Sequence, residues 1–385
     1  MSAPPSSSAN TPIDTRGSAH PRSRACLTRL TRFALLLLLH ACGAPHTPTG
    51  EPIDADAATP ASRPSPPSPP PTPPEPPEAP EALEERQQRR EIEALLALGP
   101  AATASIGSPA DGQLRGGVAL PLRGPGFRFQ PGKNGRHGTV ELVAALLRAA
   151  AAVHTAHPGG LATIGELSLP EGGPIAGHGS HQAGRDVDVL FYLLGADGAP
   201  IPSKAIPLDP AGQGADYGDL LDPTDDQPVR IDLVRTWAFV EALLHAAGDD
   251  LQRIFVVEHI RGLLLAEAER AGAAPELRER FAAVTCQPGF PHDDHLHIRF
   301  FCAADDIAAG CTELDPIYPW QRERLAALGL APVKAAARRA SARPKLTTHE
   351  EARAKAGPMH QDVIDFLDRR RAWIRQPHPR RPYCR

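Results

Sequence analysis

Several short motifs that would identify a catalytic centre are absent from this 385-residue sequence. No Cys-x-x-Cys pair occurs, so a cysteine-based zinc site is not expected. The helical zinc motif His-Glu-x-x-His is missing as well. Ser180 lies beside a histidine, but the chain has no Gly-x-Ser-x-Gly turn that would expose a serine nucleophile. These absences argue against serine catalysis and against the two commonest kinds of zinc motif.

The chain also lacks a strong positive charge and a long hydrophobic run. Its net charge of −4 gives no support for nucleic acid as a partner. The apolar run over residues 33–39 is too short to span a bilayer, and it fits the core of an export signal after Arg29 and Arg32. Because the run ends in Leu-His-Ala-Cys, which resembles a bacterial lipoprotein cleavage box, we expect a signal over residues 1–42 and lipidation at Cys42. Ordinary cleavage, or a start placed too far upstream, is the alternative.

Composition divides the rest of the chain. Residues 43–82 are dominated by Pro, Ala, Ser and Thr and are predicted to be a disordered, extended linker. A short amphipathic helix is expected within residues 83–104, and the folded domain over residues 105–325. Residues 326–385 contain fourteen Lys or Arg and five acids. We interpret them as a solvated, disordered tail with one candidate helix at 362–374, the alternative being attachment to an anionic surface.

Two short stretches, residues 177–188 and 292–297, contain five of the sixteen histidines. Polar and apolar side chains alternate in both, as on a strand with one buried face. If the two strands are neighbours, His181, Asp188 and His297 meet. Two imidazoles and one carboxylate, with one position left open for water, are the ligands of a catalytic zinc site. We therefore predict one zinc ion per chain, the alternative being an ordinary polar strand face.

Three further side chains in these stretches have predicted supporting roles. His295 shares the ligand face with His297, so it can reach water at the open position and act as the general base. Asp186 shares a face with Asp188 and can hold a ligand imidazole by accepting its free N–H. Arg185 is expected either to contact a substrate carboxylate or to point away from the site.

Helix and strand patterns are mixed without regular alternation. This mixture predicts an α+β fold, with a small, mainly antiparallel sheet and flanking helices that carry the zinc site. Thr139 is predicted to cap a helix that ends near residue 156, and Asp232 to cap a helix over residues 233–247.

Three more segments lead to the second histidine-rich stretch. We predict a strand over residues 253–257 and a helix over residues 263–271. Residues 195–230 are polar and show no clear period, and we expect them to form a rim over the active site.

Cysteine usage agrees with export. Four of the six cysteines remain after removal of the one in the signal and the one predicted to be lipidated. An even number in an exported protein indicates disulfides. Cys302 and Cys311 flank a short polar loop, so we pair them, which leaves Cys286 and Cys384 by elimination.

The histidine-rich motifs resemble those of a known family. The pattern His181-(x6)-Asp188 followed by His295-x-His297 is similar to the zinc peptidases related to lysostaphin and to the D-Ala-D-Ala peptidases. More narrowly, two motifs over roughly residues 105–320 resemble the penicillin-insensitive murein endopeptidases. These motifs are Ser180-His181-Gln182-x-Gly184-x-Asp186-Val187-Asp188 and His292-Asp293-Asp294-His295-x-His297. One departure is Arg185, where better-known members are expected to have Leu.

The resemblance implies a zinc endopeptidase that hydrolyses D-Ala–diamino acid cross-links in bacterial peptidoglycan. It implies export to the periplasm, or anchoring to the outer membrane. It also implies that His295 is the base and that His178 and His292 line the pocket, stabilising an oxyanion or holding substrate. Partly exposed loop histidines are the alternative for these two.

Two other functions remain open on the sequence. One is a D,D-carboxypeptidase or another wall-peptide hydrolase of the same superfamily. The other is a wall-binding lipoprotein without turnover. The presence of all the predicted ligands and of the predicted base argues against this second function.

Overall fold

The computed structural model of the chain describes residues 80–336, 348–374 and 384. The predicted export signal, the lipidation site Cys42 and nearly all of the proline-rich linker lie outside these ranges. No helix in the described ranges is long and apolar enough to cross a membrane.

The described residues form fifteen strands and nine helices, numbered in chain order. The strands are β1 Ala104–Ser108, β2 Asp111–Arg115, β3 Val118–Ala119, β4 Arg123–Gly124, β5 Phe127–Phe129, β6 His137–Gly138, β7 Ala162–Ile164, β8 Asp186–Leu190, β9 Leu193–Leu194, β10 Pro200–Ile201, β11 Gln213–Asp216, β12 Gln227–Ile231, β13 Leu251–Phe255, β14 Thr285–Cys286 and β15 His295–Phe300. The helices are α1 Pro80–Leu96, α2 Val140–Ala156, α3 Leu233–Ala247, α4 Glu258–Arg270, α5 Pro275–Val284, α6 Ala304–Ala308, α7 Pro319–Ala327, α8 His349–Ala356 and α9 Gln361–Ile374.

A seven-stranded sheet carries both histidine-rich stretches. Its strand order is β14-β13-β15-β8-β7-β5-β4. The β13–β14 and β5–β7 pairs are parallel, and the other four pairs are antiparallel. This mainly antiparallel sheet with its flanking helices confirms the predicted α+β fold class.

The pairing of β8 with β15 sets the positions of the site residues. These strands are antiparallel, with His297 opposite Asp188 and Arg299 opposite Asp186. On the reverse face Val187, Val189 and the apolar residues of β15 are buried in the core. A register shift of one residue would turn every side chain of one strand to the opposite face. Burial of the apolar face therefore fixes which polar side chains meet.

The predicted helix starts are found, although their caps differ in chemistry. Asp232 precedes α3 and its carboxylate accepts the Arg235 N–H at 3.1 Å. Thr139 precedes α2, but its side chain makes no cap hydrogen bond. The Val140 N–H instead donates to Thr103 Oγ1 at 3.1 Å, from a residue 37 positions away. A tertiary contact has taken over the role of the local cap.

Two predicted elements differ in extent from the observed ones. The strand expected over residues 253–257 is β13, which begins and ends two residues earlier. The helix expected over residues 263–271 begins at Glu258. The Glu258 N–H donates to Gln287 Oε1, which lies 29 residues further along the chain. Because Gln287 stabilises the start of α4 from far along the chain, the residues next to Glu258 did not indicate where the helix begins.

Residues 195–230 are not an irregular loop. They contain β10, β11 and part of β12, which join β9 in a four-stranded sheet of order β10-β9-β12-β11. The sequence did not predict this sheet, because its strands are two to five residues long and the segment is rich in Gly, Pro and Asp. The segment reaches the second histidine-rich stretch where the Leu208 N–H donates to the Asp293 carbonyl at 2.8 Å.

Both predicted disulfides are present, and part of the tail is folded. Cys302 pairs with Cys311, and Cys286 pairs with Cys384. The candidate helix over residues 362–374 is found as α9. Val363 and Phe366 of α9 are buried, which corrects the expectation of a solvated tail for this segment.

Candidate metal and catalytic site

Three imidazoles surround one carboxylate oxygen where β8 pairs with β15. Asp188 Oδ1 lies 3.4 Å from His181 Nε2 and 3.1 Å from His297 Nδ1. His295 Nε2 is 3.5 Å from the same oxygen. The structure therefore brings together the three predicted metal ligands and the predicted base.

The spacing of these atoms fits a metal ion. Ligands about 2.0–2.1 Å from a tetrahedral ion lie about 3.3 Å from one another. His181 Nδ1 donates to the Leu167 carbonyl at 2.8 Å, which leaves Nε2, the atom that faces Asp188, available to bind a metal. His181 Nε2 and Asp188 Oδ1 are buried, and neither has a hydrogen-bond partner among the described residues. Leaving such atoms unsatisfied costs about 1–3 kcal/mol each, which a divalent metal would relieve.

The local charges favour an ionised Asp188. Burial raises the pKa of this carboxyl, but His181 and His295 outweigh burial and hold the pKa well below its usual range. An ionised carboxylate is the form that binds metal.

Backbone geometry places His181 in the site. Its φ is +70°, in the left-handed region that few residues other than Gly adopt. The His181 N–H donates to Asp186 Oδ2 at 3.3 Å. Gly184 also has a positive φ, of +71°, and a Cβ there would lie 2.6 Å from Leu114. The turn before β8 therefore requires glycine at position 184. It holds His181 in a strained backbone conformation, as is common at functional sites.

Asp186 is held by Arg299 and faces a predicted ligand. Arg299 donates to it through Nε at 2.7 Å and Nη2 at 2.9 Å. Asp186 Oδ2 is 3.3 Å from His297 Nε2, so the Nδ1 atom of that ring faces Asp188. Burial alone would raise the pKa of Asp186, but Arg299 and His297 hold it well below its usual range. Asp186 is thus placed beside the predicted ligand His297, and its role in orienting that imidazole stays a prediction.

Asp294 orients His295. His295 Nδ1 lies 2.6 Å from Asp294 Oδ1, and since a carboxylate accepts hydrogen bonds, Nδ1 carries the proton. Nε2 then faces Asp188. Burial disfavours the charged ring, yet Asp188 and Asp294 outweigh it and raise the pKa of His295 to about 9. A divalent cation beside Asp188 would lower this pKa through charge repulsion.

His178 and His292 extend the imidazole cluster on either side. His178 Nε2 lies 2.6 Å from Glu166 Oε2, and Lys133 Nζ is 3.1 Å from that same oxygen. The His178 and His181 ring centroids are 4.6 Å apart. Burial and His181 lower the pKa of His178 against the opposing effect of Asp188 and Glu166.

The surroundings of His292 favour its neutral form. Its Nδ1 donates to the Phe290 carbonyl at 2.9 Å, which leaves Nε2 as an acceptor. Burial, His295 and His297 together lower the pKa of His292 to about 3. Its ring centroid lies 4.8 Å from that of His295. Both predicted pocket histidines therefore adjoin the predicted ligands and base.

Arg185 points away from the histidines. Its guanidinium donates to Ser105 Oγ, the Phe300 carbonyl and the Thr312 carbonyl, each at 2.9 Å. It also pairs with Glu313 at 3.3 Å, and its side chain is 1% exposed. Of the two expectations for Arg185, the structure shows the one in which the side chain points away from the site. The arginine joins the start of β8 to the segment after β15.

A residue of the tail holds the second histidine-rich stretch. Arg370 of α9 donates to Asp293 through Nε at 2.8 Å and Nη2 at 2.7 Å. The Asp293 side chain is 0% exposed and lies between His292 and Asp294. Close by, Gln287 Nε2 donates to the Ile374 carbonyl at 2.9 Å. The tail therefore supports the backbone that presents His295.

Four side chains that support the site were not predicted from the sequence. Two of them could have been found from the sequence: Arg299 shares the period-two face of His297, and Asp294 directly precedes His295. Glu166 and Arg370 could not have been found in this way, because they lie 12 residues from His178 and 77 residues from Asp293.

Comparison with known proteins identifies the family of this chain. Residues 105–321, more than half of the chain, match the family model described as penicillin-insensitive murein endopeptidase. Proteins of that name from Salmonella arizonae and Salmonella typhimurium are each 29% identical to this chain over 223 residues. Each alignment covers 56% of this chain and 73% of the relative. The chain therefore belongs to the penicillin-insensitive murein endopeptidase family of peptidases.

Proposed function

We propose that this chain is a zinc-dependent endopeptidase that hydrolyses D-Ala–diamino acid cross-links between the stem peptides of bacterial peptidoglycan. The observation that carries the proposal is the convergence of His181, His295 and His297 on Asp188 Oδ1, within 3.5 Å. Family membership supports the reaction, and the relatives are named for murein.

Three residues would hold the zinc ion. They are His181 through Nε2, Asp188 through its carboxylate, and His297 through Nδ1, the atoms that face one another across the two strands. A bound zinc ion supplies Lewis acidity, which polarises a carbonyl and activates water at neutral pH.

His295 carries the proton. Hydrolysis of an amide requires a base for the proton of the attacking water and an acid for the leaving amine. Asp294 fixes the Nδ1 proton of His295, so Nε2 is the atom that accepts a proton and then returns it. Because Nε2 is directed at Asp188, it faces the position where water and substrate would meet.

His292 and His178 would hold substrate. With its Nδ1 proton engaged by Phe290, His292 presents Nε2 as an acceptor. It therefore suits an N–H group of the stem peptide better than an oxyanion. His178 donates through Nε2 to Glu166, and its Nδ1 lies 3.7 Å from Asp188 Oδ2 at the edge of the site.

We further propose that the enzyme is exported and lipid-anchored through Cys42, in the periplasm or at the outer membrane. The supporting feature is the sequence of residues 33–42 followed by the proline-rich linker. Replacement of Cys42 by Ser should release the protein from the membrane fraction or block its processing. Unchanged fractionation would argue against the anchor.

The reaction is tested by mass analysis of digested wall fragments. Purified cross-linked dimers and uncross-linked pentapeptide monomers are incubated with the wild type, with and without a chelator, and with His297→Ala. We expect the dimers to be converted to monomers by the untreated wild type alone. Loss of a terminal D-Ala from the monomers with the dimers intact would indicate a carboxypeptidase. Unchanged fragments would indicate a binding protein, and full activity after zinc is removed would contradict zinc dependence.

A further inference from the structure

A second group of metal-binding side chains lies outside the histidine site, at the start of α9. Asp226, His360 and Asp362 each offer one ligand atom, and these atoms all lie within 4.8 Å of one another. Asp226 is the last residue of an acidic loop (residues 217–226) between β11 and β12. His360 directly precedes α9, and Asp362 lies in its first turn.

This group contains buried polar atoms that have no hydrogen-bond partner in the described part of the chain. The His360 side chain is 9% exposed and that of Asp226 is 16% exposed. Among the described residues, neither ring nitrogen of His360 has a hydrogen-bond partner, and neither does Asp226 Oδ1. A buried polar atom without a partner costs about 1–3 kcal/mol. His360 and Asp226 thus each have a buried atom without a partner, and a ligand shared by the two residues would satisfy both.

The spacing of His360 and Asp226 is compatible with a shared metal ion. His360 Nε2 lies 3.4 Å from Asp226 Oδ2, close to the spacing of about 3.3 Å between ligands of a tetrahedral ion. The backbone of His360 is fixed, because its N–H donates to the Leu220 carbonyl at 2.7 Å and its carbonyl accepts from Ile364. Its ring centroid lies 5.9 Å from that of Tyr217. The imidazole is therefore held in place before any ligand binds.

We propose that Asp226, His360 and Asp362 bind a second divalent transition-metal ion, of which zinc is the best match. One imidazole and two carboxylates are ligands that zinc accepts, whereas magnesium and calcium prefer oxygen ligands alone. The two carboxylates also neutralise a divalent charge. Asp362 is exposed, so water completes the coordination from the solvent side.

The second ion has a structural role. It cross-links the acidic loop to the N-terminal end of α9, the helix whose Arg370 holds Asp293. A structural zinc site contributes its binding free energy to folding, because the ligands are not assembled in the unfolded chain. Zinc at this position thus stabilises the packing of the tail on the domain that carries the histidine site.

The proposal is tested by counting zinc. The wild type, His360→Ala, Asp226→Asn and His245→Ala are equilibrated with zinc in buffer containing calcium and magnesium, freed of excess metal, and analysed for metal content. His245 is an exposed histidine of α3 and serves as the matched control. We expect two zinc ions per chain in the wild type and in His245→Ala, and one in His360→Ala. Asp226→Asn keeps the side-chain volume and reports on the site even if His360→Ala folds poorly. Equal zinc content in all four proteins would overturn the proposal.

Two further variants separate this site from the catalytic one. His297→Ala should retain one zinc, and zinc should raise its melting temperature. His297→Ala/His360→Ala should retain none, and zinc should leave its melting temperature unchanged. If the wild type binds one ion and His360→Ala none, the second site stands and the catalytic zinc fails. Retention of a zinc ion by the double variant, or a zinc-induced rise in its melting temperature, would overturn the second site.

Discussion

His295 and His297 share one face of β15 but have different partners. His297 lies between two carboxylates, with Nδ1 facing Asp188 and Nε2 facing Asp186. His295 has its Nδ1 atom bound by Asp294 and reaches Asp188 only at 3.5 Å. This difference in partners supports the proposed assignment of His297 as a metal ligand and of His295 as the base.

This difference predicts two distinct losses of function. His295→Ala should keep zinc near the wild-type content while cross-link hydrolysis falls about 10²–10⁴-fold, the usual contribution of general acid–base catalysis. His297→Ala should lose zinc at the histidine site together with activity, because removing a ligand opens the coordination shell. Zinc content and hydrolysis are measured in parallel, with His245→Ala as the control. Loss of zinc from both variants to the same extent would show that the two roles are shared.

At the scale of elements, α9 supports a loop that it does not adjoin in sequence. The Arg370–Asp293 pair is bidentate, and the carboxylate is fully buried between two residues of the site. Removing the cationic partner of a buried carboxylate leaves an uncompensated charge, which typically costs about 3–5 kcal/mol. The loop would then relax to solvate Asp293, and the alignment of Asp294 with His295 would be disturbed.

Arg370→Ala should therefore lower the free energy of unfolding by about 3 kcal/mol and also lower kcat. Arg369→Ala is the matched control, since Arg369 is the exposed neighbour on the same helix, and it should change stability by less than about 0.5 kcal/mol. Urea unfolding and steady-state hydrolysis measure both effects. Arg370→Lys restores the charge but not the bidentate geometry, so partial recovery of kcat is expected. Equal behaviour of Arg369→Ala and Arg370→Ala would contradict this role of α9.

For the molecule as a whole, the two disulfides differ in the length of chain that they close. Cys286–Cys384 spans 98 residues and joins the tail to the segment before the second histidine-rich stretch. Cys302–Cys311 spans 9 residues directly after β15. In the chain-entropy description, a longer closed loop removes more disorder from the unfolded chain.

The paired substitutions to Ser should consequently differ in their effect. By loop entropy, Cys286→Ser/Cys384→Ser should lose about 4.7 kcal/mol of unfolding free energy, and Cys302→Ser/Cys311→Ser about 2.6 kcal/mol. Replacing both cysteines of a pair avoids a free thiol. Urea unfolding under non-reducing conditions gives the two values. A larger loss for the short loop would mean that local packing, rather than loop length, governs the contribution of each bond.

The sequence alone determined the parts of this protein that depend on local periodicity and side-chain chemistry. Alternation in residues 186–190 and 295–300 predicted two strands with one polar face each, and both are present. The residues around Asp232 likewise predicted the start of α3. The spacing and the even number of the remaining cysteines predicted the two disulfides. In each case the physical cause acts within a few residues or through composition.

Only the tertiary structure decided which groups complete the site. The orientation of Arg185, the support of His178 by Glu166 and of Asp293 by Arg370, and the start of α4 at Glu258 all depend on partners brought together by packing. Sequence spacing has no information about such pairs, since burial of the apolar face of β8 and β15 fixes the register first. The buried polar groups then pair with whatever side chain that packing places beside them.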